Sequence, residues 1–338
     1  MVARPVPLTR PVPVVCAAVL ALLTLLSCGP NSSDAANSPR PSTSASPSSS
    51  APSPQPSPST SPVRTTSDHP DHPQLPRGGT TLFPRYRLVG YSGGDSTPAF
   101  GRLGVGSLDR RVAEIERIGR AYTKGGRQPL PVLELITVVV QSHSGRDGQY
   151  RSRISGAQID RYLAAARRHR ALLLLNIQPG RADFLAEVKR LQRWLVEPDV
   201  GIALDPEWAV GAHQVPGRVF GRTSAKELNA VAAYLSAFTR AHGLPEKVMV
   251  VHQLAPKIVH RVQDVTAHPG VAVVLSVDGI GSRAAKTSTW RRLVKPLPDA
   301  VHPGFKLFFT EDRRSHHRLM TPSQVMALKP TPDYVLYE

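Results

Sequence analysis

The sequence predicts an α/β fold, a single (β/α)8 TIM-type barrel over residues 81–338, preceded by a signal peptide and a disordered tether. Eight short apolar runs follow one another along this part of the chain. They are continuous rather than alternating, as in parallel strands that are buried on both faces. Helical patterns separate most of the runs, and eight strand–helix units fit a barrel of about 250 residues.

The predicted strands are rich in aliphatic and β-branched residues, which suits a buried sheet. They are Tyr86–Tyr91, Val132–Val140, Ala171–Ile177, Val200–Leu204, Val248–His252, Val271–Val277, Phe305–Phe309 and Tyr334–Tyr337.

Helices are predicted where apolar residues recur every three or four positions. Ser155 is an expected N-cap and Gly243 an expected C-cap. A doubly wound open sheet is the alternative fold, but Tyr91-Ser92-Gly93-Gly94-Asp95 lacks the full glycine fingerprint of such folds. The predicted helices are 108–122, 158–169, 182–195, 224–242, 258–265, 288–294 and 321–328.

Residues 1–27 have the features of a lipoprotein signal peptide. Arg4 and Arg10 precede an apolar run over residues 12–26, which is shorter than the roughly 20 residues of a transmembrane helix. The run ends in Leu25-Leu26-Ser27-Cys28-Gly29, which resembles a bacterial lipobox. We therefore predict that Cys28 is lipidated and anchors the protein to the outer face of the cell membrane. An ordinary signal peptide with an incidental cysteine is the alternative.

Residues 28–80 are predicted to form the tether. Long stretches contain almost only Ser, Pro, Thr and Ala, and such a composition buries too little apolar surface to fold. The chain has only 2 Cys, at positions 16 and 28. The predicted barrel over residues 81–338 therefore has no disulfide and no cysteine nucleophile.

The formal net charge is +17. Residues 1–80 contain five basic and three acidic residues, so nearly all of this charge belongs to the barrel. A positive surface favours anionic envelope polymers or lipid headgroups. We expect no nucleic-acid partner, because the sequence predicts a secreted lipoprotein and has no platform of aromatic and basic residues. We also find no Gly-x-Ser-x-Gly elbow and no metal-ligand spacing, and we expect neither a metal nor a cofactor.

Polar residues gather where the predicted strands end, which is where barrels of this type carry their functional groups. A barrel mouth with a purely structural role does not need so many of them. These residues are Tyr91, Ser92, Asp95, Glu134, Gln141, Ser142, His143, Asn176, Gln178, Arg181, Asp205, Glu207, Trp208, His252, Gln253, Asp278, Lys306, Glu311, Asp312, Tyr337 and Glu338.

The segment Asp205-Pro206-Glu207-Trp208 is the sharpest functional signal. If it continues the strand, Asp205 and Glu207 project to the same side as residues i and i+2. Repulsion and burial then leave one carboxyl protonated and the other ionised, as a glycosidase requires. The structural alternative is that Asp205 caps the following helix or pairs with an arginine.

This segment resembles the strand-four signature of chitinase-type glycosidases, Asp-Gly-x-Asp-x-Asp-x-Glu followed by an aromatic residue. Gly201, Asp205, Glu207 and Trp208 match it, whereas Val200 and Ala203 replace its first two aspartates. The resemblance implies that Glu207 is the acid and that Asp205 orients a substrate acetamide.

A broader resemblance covers nearly all of the globular part. The chain is similar to an uncharacterised family of actinobacterial secreted lipoproteins with a glycosidase-like barrel. The matching pieces are 89–91, 97–99, 103–104, 177–181, 200–208, 251–253, 277–279, Lys306 and 311–312. The resemblance implies a location and a fold more than a reaction.

Two functional hypotheses follow. In the first, the protein is a lipid-anchored glycoside hydrolase that acts on envelope or environmental glycans. Glu207 donates the proton, and Asp205 or Asp278 stabilises positive charge on the sugar. In the second, the same mouth binds a glycan or an envelope polymer without catalysis. The expected substrate-binding residues are Tyr91, Gln178, His252, Gln253 and Lys306, with Trp208 as a stacking face.

Overall fold

The computed structural model describes residues 73–123 and 125–338. Eight parallel strands form a closed barrel, because the first strand pairs with both the second and the last. The predicted (β/α)8 barrel is confirmed. The strands are β1 (Tyr86–Gly93), β2 (Gln128–Val140), β3 (Leu172–Ile177), β4 (Val200–Leu204), β5 (Lys247–Gln253), β6 (Val271–Val277), β7 (Val301–Leu307) and β8 (Tyr334–Tyr337).

Helices of unequal length surround the barrel. Ser155 and Ser224 each begin a helix with a capping box, in which the serine and a residue three positions later satisfy each other's backbone N–H groups. The helices are α1 (Leu108–Gly119), α2 (Gly156–Arg168), α3 (Phe184–Arg190), α4 (Gln192–Leu195), α5 (Ala225–Ala241), α6 (Arg283–Val294) and α7 (Pro322–Met326).

Three predicted helices differ from the structure, and the one over 288–294 begins earlier, at Arg283. The one over 182–195 is divided at Leu191 into α3 and α4. The one over 258–265 is wrong: Val259–His260 pairs with Thr223–Ser224 as a short parallel strand, and Val262–Asp264 forms a 3-10 turn. The valines in this segment are spaced as on one face of a helix, but β-branched residues are more favourable in an extended strand that pairs with another strand.

Apolar side chains pack in two layers. One layer lies between the strands and the helices, and the other fills the barrel interior. Leu75 and Leu82 belong to the interior layer and close the N-terminal end of the barrel. The backbone N–H of Leu82 donates to Glu246 Oε2 at 2.7 Å, which fixes this plug to the start of β5. The packed part of the chain therefore reaches back to Leu75, earlier than the predicted boundary at 81.

In the part of the chain that the structure describes, no helix is long and apolar enough to cross a membrane. The predicted signal peptide, Cys28 and the tether up to residue 72 lie outside the described residues.

Candidate active site

The barrel interior changes from apolar to polar along each strand. Inward-facing residues alternate along a strand. The inward series of β2 runs Leu130, Val132, Glu134, and that of β5 runs Val248, Val250, His252. The same change occurs in β3, whose inward series ends with Asn176, and in β6, whose inward series ends with Ser276. A polar layer therefore lies across the barrel above its apolar floor.

A cavity of about 160 Å³ opens at the C-terminal end of the strands, above this polar layer. Its apolar walls come mainly from Phe100, Ile136, Leu254 and Phe308. Its polar walls include six of the predicted site residues, together with Glu311 and Glu338. The six are Gln178, Asp205, Glu207, Trp208, Asp278 and Lys306.

Glu134 is the centre of the polar layer and has no exposed surface. Its Oε1 accepts hydrogen bonds from Asn176 Nδ2 at 3.0 Å and from Ser92 Oγ at 3.3 Å, and its Oε2 accepts one from the Tyr334 hydroxyl at 2.6 Å. Burial alone raises the pKa of Glu134, but the neighbouring His252, Lys306 and Tyr334 outweigh burial and lower it. Glu134 is therefore an ionised carboxylate whose acceptors are occupied.

His252 lies between carboxylates beneath the cavity and is fully buried. Its Nδ1 is 2.8 Å from Asp278 Oδ2, and its Nε2 is 3.0 Å from Glu134 Oε1 and 3.7 Å from Asp205 Oδ1. Burial lowers the pKa of His252, but Asp278, Glu134 and Asp205 raise it well above its usual value. His252 is thus an imidazolium at neutral pH, with both ring nitrogens donating, and it does not line the cavity.

Asp278 and Lys306 form a second buried pair. Lys306 Nζ is 3.3 Å from Asp278 Oδ2 and 2.7 Å from Glu338 Oε2. Asp278 Oδ1 accepts a hydrogen bond from Ser276 Oγ at 2.7 Å. Burial acts to raise the pKa of Asp278, yet the two cations His252 and Lys306 lower it far below its usual range. Asp278 therefore stays ionised in the cavity wall.

Asp205 follows the last residue of β4 and is almost fully buried. Its Oδ2 accepts a hydrogen bond from Gln178 Nε2 at 3.2 Å, whereas its Oδ1 has no hydrogen-bond partner among the described residues. It neither caps the next turn nor pairs with an arginine of the described chain. Burial raises the pKa of Asp205, and the carboxylates of Glu134 and Asp278 add to this despite His252 and Lys306.

Glu207 lies in a 3-10 turn, Pro206–Trp208. The strand geometry predicted for Asp205 and Glu207 is wrong, because β4 ends at Leu204 and the turn carries Glu207 to the same cavity by another path. Glu207 Oε2 is buried and has no hydrogen-bond partner in residues 73–123 and 125–338. Burial, followed by the negative charges of Asp205 and Asp278, raises the pKa of Glu207 well above its usual value. These surroundings favour the protonated form of the Glu207 carboxyl.

Gly221 fixes the position of this turn. Its backbone N–H donates to the carbonyl oxygen of Glu207 at 2.6 Å. A Cβ at position 221 would lie 2.4 Å from the carbonyl oxygen and 2.5 Å from the nitrogen of Ala209. Only glycine allows the two backbone segments to approach this closely.

Buried Lys286 supports the segments that follow β6 and β7. Its Nζ donates to the carbonyl oxygens of Gly279 and Lys306, at 2.5 and 2.8 Å, and lies 2.8 Å from Asp312 Oδ2. These contacts hold the backbone next to Asp278 and Lys306 in one arrangement.

Three predicted substrate-binding residues do not line the cavity: His252 lies beneath it, and two others lie elsewhere. Tyr91 packs in the layer between strands and helices, and its hydroxyl is 3.4 Å from Glu114 Oε2 of α1. Gln253 donates its amide to the carbonyl oxygen of Ala255 at 3.1 Å, which stabilises the loop after β5. Neither side chain lines the cavity.

Glu134 and Glu338 are two of the site residues that sequence reasoning did not select. Both stand among the polar residues of the strand ends, but no motif marks them. A glutamate in the middle of the apolar strand β2 was the available signal, because a buried charge requires dedicated partners.

No group of three or more His, Cys, Asp and Glu side chains in the described residues is arranged to hold a metal ion. The arrangement places the Glu207 carboxyl, whose surroundings favour its protonated form, in one cavity wall with the ionised Asp278. This combination suits proton transfer to a leaving group together with stabilisation of a developing positive charge.

Comparisons with known proteins give little further guidance. No family model matches the chain, and no curated protein matches it. Among solved structures, a GH18 chitinase from Pseudoalteromonas aurantia is similar at 10% sequence identity with a TM-score of 0.34, over 77% of this chain and 93% of that chain. Similarity at this level assigns no activity to the chain.

Proposed function

We propose that the barrel is a glycoside hydrolase in which Glu207 is the proton donor. The observation that carries this proposal is the state of the Glu207 carboxyl. It is buried in the wall of a cavity, it has no cationic partner in the described chain, and it lies beside Asp205 and Asp278. Such surroundings keep a carboxylic acid protonated at neutral pH, which is the state that a general acid needs.

In the proposed reaction, the Glu207 carboxyl gives its proton to the glycosidic oxygen as the bond from that oxygen to the sugar carbon breaks. Positive charge then develops on the sugar, and the Asp205 carboxylate stabilises it. Asp278, which follows β6 in the cavity wall, strengthens the negative field and stays ionised because of His252 and Lys306. Water adds to the sugar carbon, and its proton restores Glu207.

The remaining polar residues hold the reacting pair in place. Gln178 donates to Asp205 at 3.2 Å and directs one carboxylate oxygen, so the other, Oδ1, stays without a hydrogen-bond partner in the described residues. Trp208 lines the same cavity and offers an aromatic face to a sugar ring. Lys306 is held by Asp278 and Glu338, and we assign it the role of a counter-charge rather than a sugar ligand.

A non-catalytic glycan-binding role is the second candidate. The polar cavity wall, which includes Asp205, Asp278 and Gln178, favours it because these groups can hydrogen-bond to a sugar whether or not a bond is broken. In this case the same acids would bind sugar hydroxyls without breaking a bond.

A hydrolysis screen separates the two candidates. We would incubate the purified protein and its Glu207→Gln variant with a panel of neutral and acidic polysaccharides and measure new reducing ends. Glu116→Gln is a matched control, because Glu116 pairs with Arg77 on the outside of the barrel. The proposal expects activity that Glu207→Gln reduces at least about 100-fold and that Glu116→Gln leaves unchanged. Activity that survives Glu207→Gln would contradict the proposal, and binding without hydrolysis would favour the second candidate.

We also propose that Cys28 carries a lipid and that the barrel faces the outside of the cell membrane. The lipobox-like sequence before Cys28 and the Ser/Pro-rich segment after it support this proposal. Labelling of cells with a fatty-acid analogue tests it. Incorporation that is lost in Cys28→Ala agrees with lipidation, and equal incorporation in both proteins contradicts it.

A further inference from the structure

A second opening lies beside the cavity, on the same end of the barrel. It is a groove of about 880 Å³ between the beginnings of α3 and α5. Its walls come from segments that follow β3, β4 and β5. All of these segments are at the C-terminal ends of strands, where the cavity also opens.

The groove and the cavity are lined by neighbouring residues of the same two segments. Glu207 and Trp208 line the cavity, whereas the next two residues, Ala209 and Val210, line the groove. In the same way, Gln178 lines the cavity and Arg181 lines the groove. The two openings therefore lie next to each other along these segments, and the groove is the nearest place for the sugars that neighbour one held in the cavity.

Two arginines face this groove without a carboxylate partner in the described residues. Arg181 is held by a hydrogen bond from its Nε to the carbonyl oxygen of Gln214 at 2.9 Å and by the ring of Tyr150, 4.2 Å from its guanidinium carbon. These contacts leave its two terminal nitrogens available. Arg222 is exposed, and its side chain makes no ion pair in the described chain. His213 and His260 are exposed in the same groove.

The two carboxylates of the groove are already engaged by backbone groups. Asp183 caps α3 by accepting from the Ala186 N–H at 2.8 Å. Glu227 accepts from the Ser224 N–H at 2.9 Å at the start of α5. Because each carboxylate compensates a helix N-terminus, it offsets less of the arginine charge.

We propose that this groove is a subsite for an anionic sugar, so that the substrate is a glycan bearing carboxylate or phosphate groups. The inference rests on the proposed function, because it places the anionic group next to the sugar that is cleaved. Arg181 forms hydrogen bonds to the anion through its fixed guanidinium, and Arg222 adds a second positive charge.

Calorimetry with matched probes tests the subsite. The probes are a hexasaccharide of hyaluronan, the same hexasaccharide with its carboxylates reduced to alcohols, and a glycosylated glycerol-phosphate oligomer. Binding is measured in the Glu207→Gln background, so that no probe is consumed. Glu207→Gln/Arg181→Gln/Arg222→Gln is the test variant. Glu207→Gln/Arg240→Gln/Arg291→Gln is the control, since Arg240 and Arg291 are exposed near the C-terminal ends of α5 and α6.

We expect the parent to bind at least one anionic probe about tenfold or more tightly than the reduced probe. The test variant should lose this preference, the control should keep it, and added salt should weaken it. Preference for the carboxylate or the phosphate probe identifies the source of the anion. Equal binding of charged and reduced probes, preference that survives in the test variant, or failure to bind either anionic probe would overturn the subsite.

The outcome is independent of the hydrolysis test. If the protein prefers the anionic probes but never cleaves them, the subsite is supported and the proposed hydrolysis is contradicted. If the protein cleaves a neutral glycan through Glu207 and shows no preference for anionic probes, the hydrolysis is supported and the subsite is contradicted.

Discussion

Nδ1 of His252 lies 2.8 Å from Oδ2 of Asp278, in a pair that is almost completely buried. The second ring nitrogen faces Glu134 at 3.0 Å. The imidazolium is therefore the counter-charge for two carboxylates within the barrel, and the polar layer depends on it.

Replacement of His252 by Gln should destabilise the fold strongly. It leaves Asp278 and Glu134 short of a buried cation, which typically costs about 3–5 kcal/mol. Urea denaturation at pH 7 measures the free energy of unfolding. His302→Gln is the control, because His302 makes a similar contact with Asp333 at 2.9 Å but is partly exposed, and such pairs contribute at most about 1 kcal/mol. Equal losses of unfolding free energy in the two variants would show that the buried His252 contacts stabilise the fold no more than the partly exposed His302 contact does.

The contribution of His252 should depend on pH with a defined sign. Its pKa in the folded state is raised well above the usual value. The contribution is therefore complete below the unfolded-state pKa of about 6.5 and is lost as pH rises through the folded-state pKa. The stability difference between wild type and His252→Gln should thus be larger at pH 7 than at pH 10. A difference that grows with pH would show that His252 is neutral in the fold.

Glu207→Gln should stabilise the domain at neutral pH. The pKa of Glu207 is raised in the fold, so the folded state loses stability as pH rises above the unfolded-state pKa of about 4.3. Glutamine removes this penalty. We expect the melting temperature at pH 8 to rise by about 2–4 °C, the shift produced by about 1 kcal/mol in a domain of 150–250 residues.

The comparison of pH values provides the control for Glu207→Gln. At pH 4 both folded and unfolded wild-type proteins carry a largely protonated residue 207, so the gain should be much smaller. A melting temperature that falls at pH 8 would indicate that Glu207 is ionised and paired.

Lys306→Met should narrow the pH range of activity from the acidic side. Lys306 lowers the pKa of Asp205 against the effect of burial. Without this charge the Asp205 pKa rises further, and the acidic limb of the kcat/KM profile should move to higher pH. Lys257→Met is the control, as Lys257 is exposed after β5. If the acidic limb of the kcat/KM profile is unchanged in Lys306→Met, the ionisation of Asp205 does not control the activity.

Gly221→Ala should displace the turn that carries Glu207. The added Cβ would meet the backbone of Ala209 at 2.4 Å, and such overpacking typically costs about 1–3 kcal/mol. We expect kcat to fall more than tenfold while the circular dichroism spectrum stays that of a folded barrel. Gly211→Ala is the control in the same loop, because its Cβ would meet only the Gln214 side chain, at 3.4 Å. Equal activity in the two variants would argue against a fixed turn.

The fold was predictable because buried parallel strands give continuous apolar runs, and all eight predicted runs overlap the barrel strands. Because these apolar runs are continuous, the sequence does not indicate which residues of a strand face the barrel interior. In β1 the inward residues include Leu88 and Ser92, so Tyr91 points outward, and in β5 His252 points inward and Gln253 outward. A strand that is apolar on both faces carries no alternating pattern from which this parity can be read.

The acid pair shows a different limit. The residue types of Asp205 and Glu207 indicated a carboxylate site, and both line the cavity. Their geometry was not predictable, because Pro206 begins a 3-10 turn. The position of this turn depends on the hydrogen bond from the Gly221 N–H to the Glu207 carbonyl oxygen, and no local sequence pattern indicates that contact.

Titration of the Glu207 carboxyl itself tests most directly whether this residue is the proton donor. Carbon NMR of protein labelled at the glutamate carboxyl carbon gives one resonance per glutamate, and the resonance that disappears in Glu207→Gln identifies residue 207. We expect this resonance to titrate well above the usual glutamate pKa and to report a protonated acid at neutral pH. A resonance that titrates at or below the usual value would show an ionised Glu207 and would contradict its role as the proton donor.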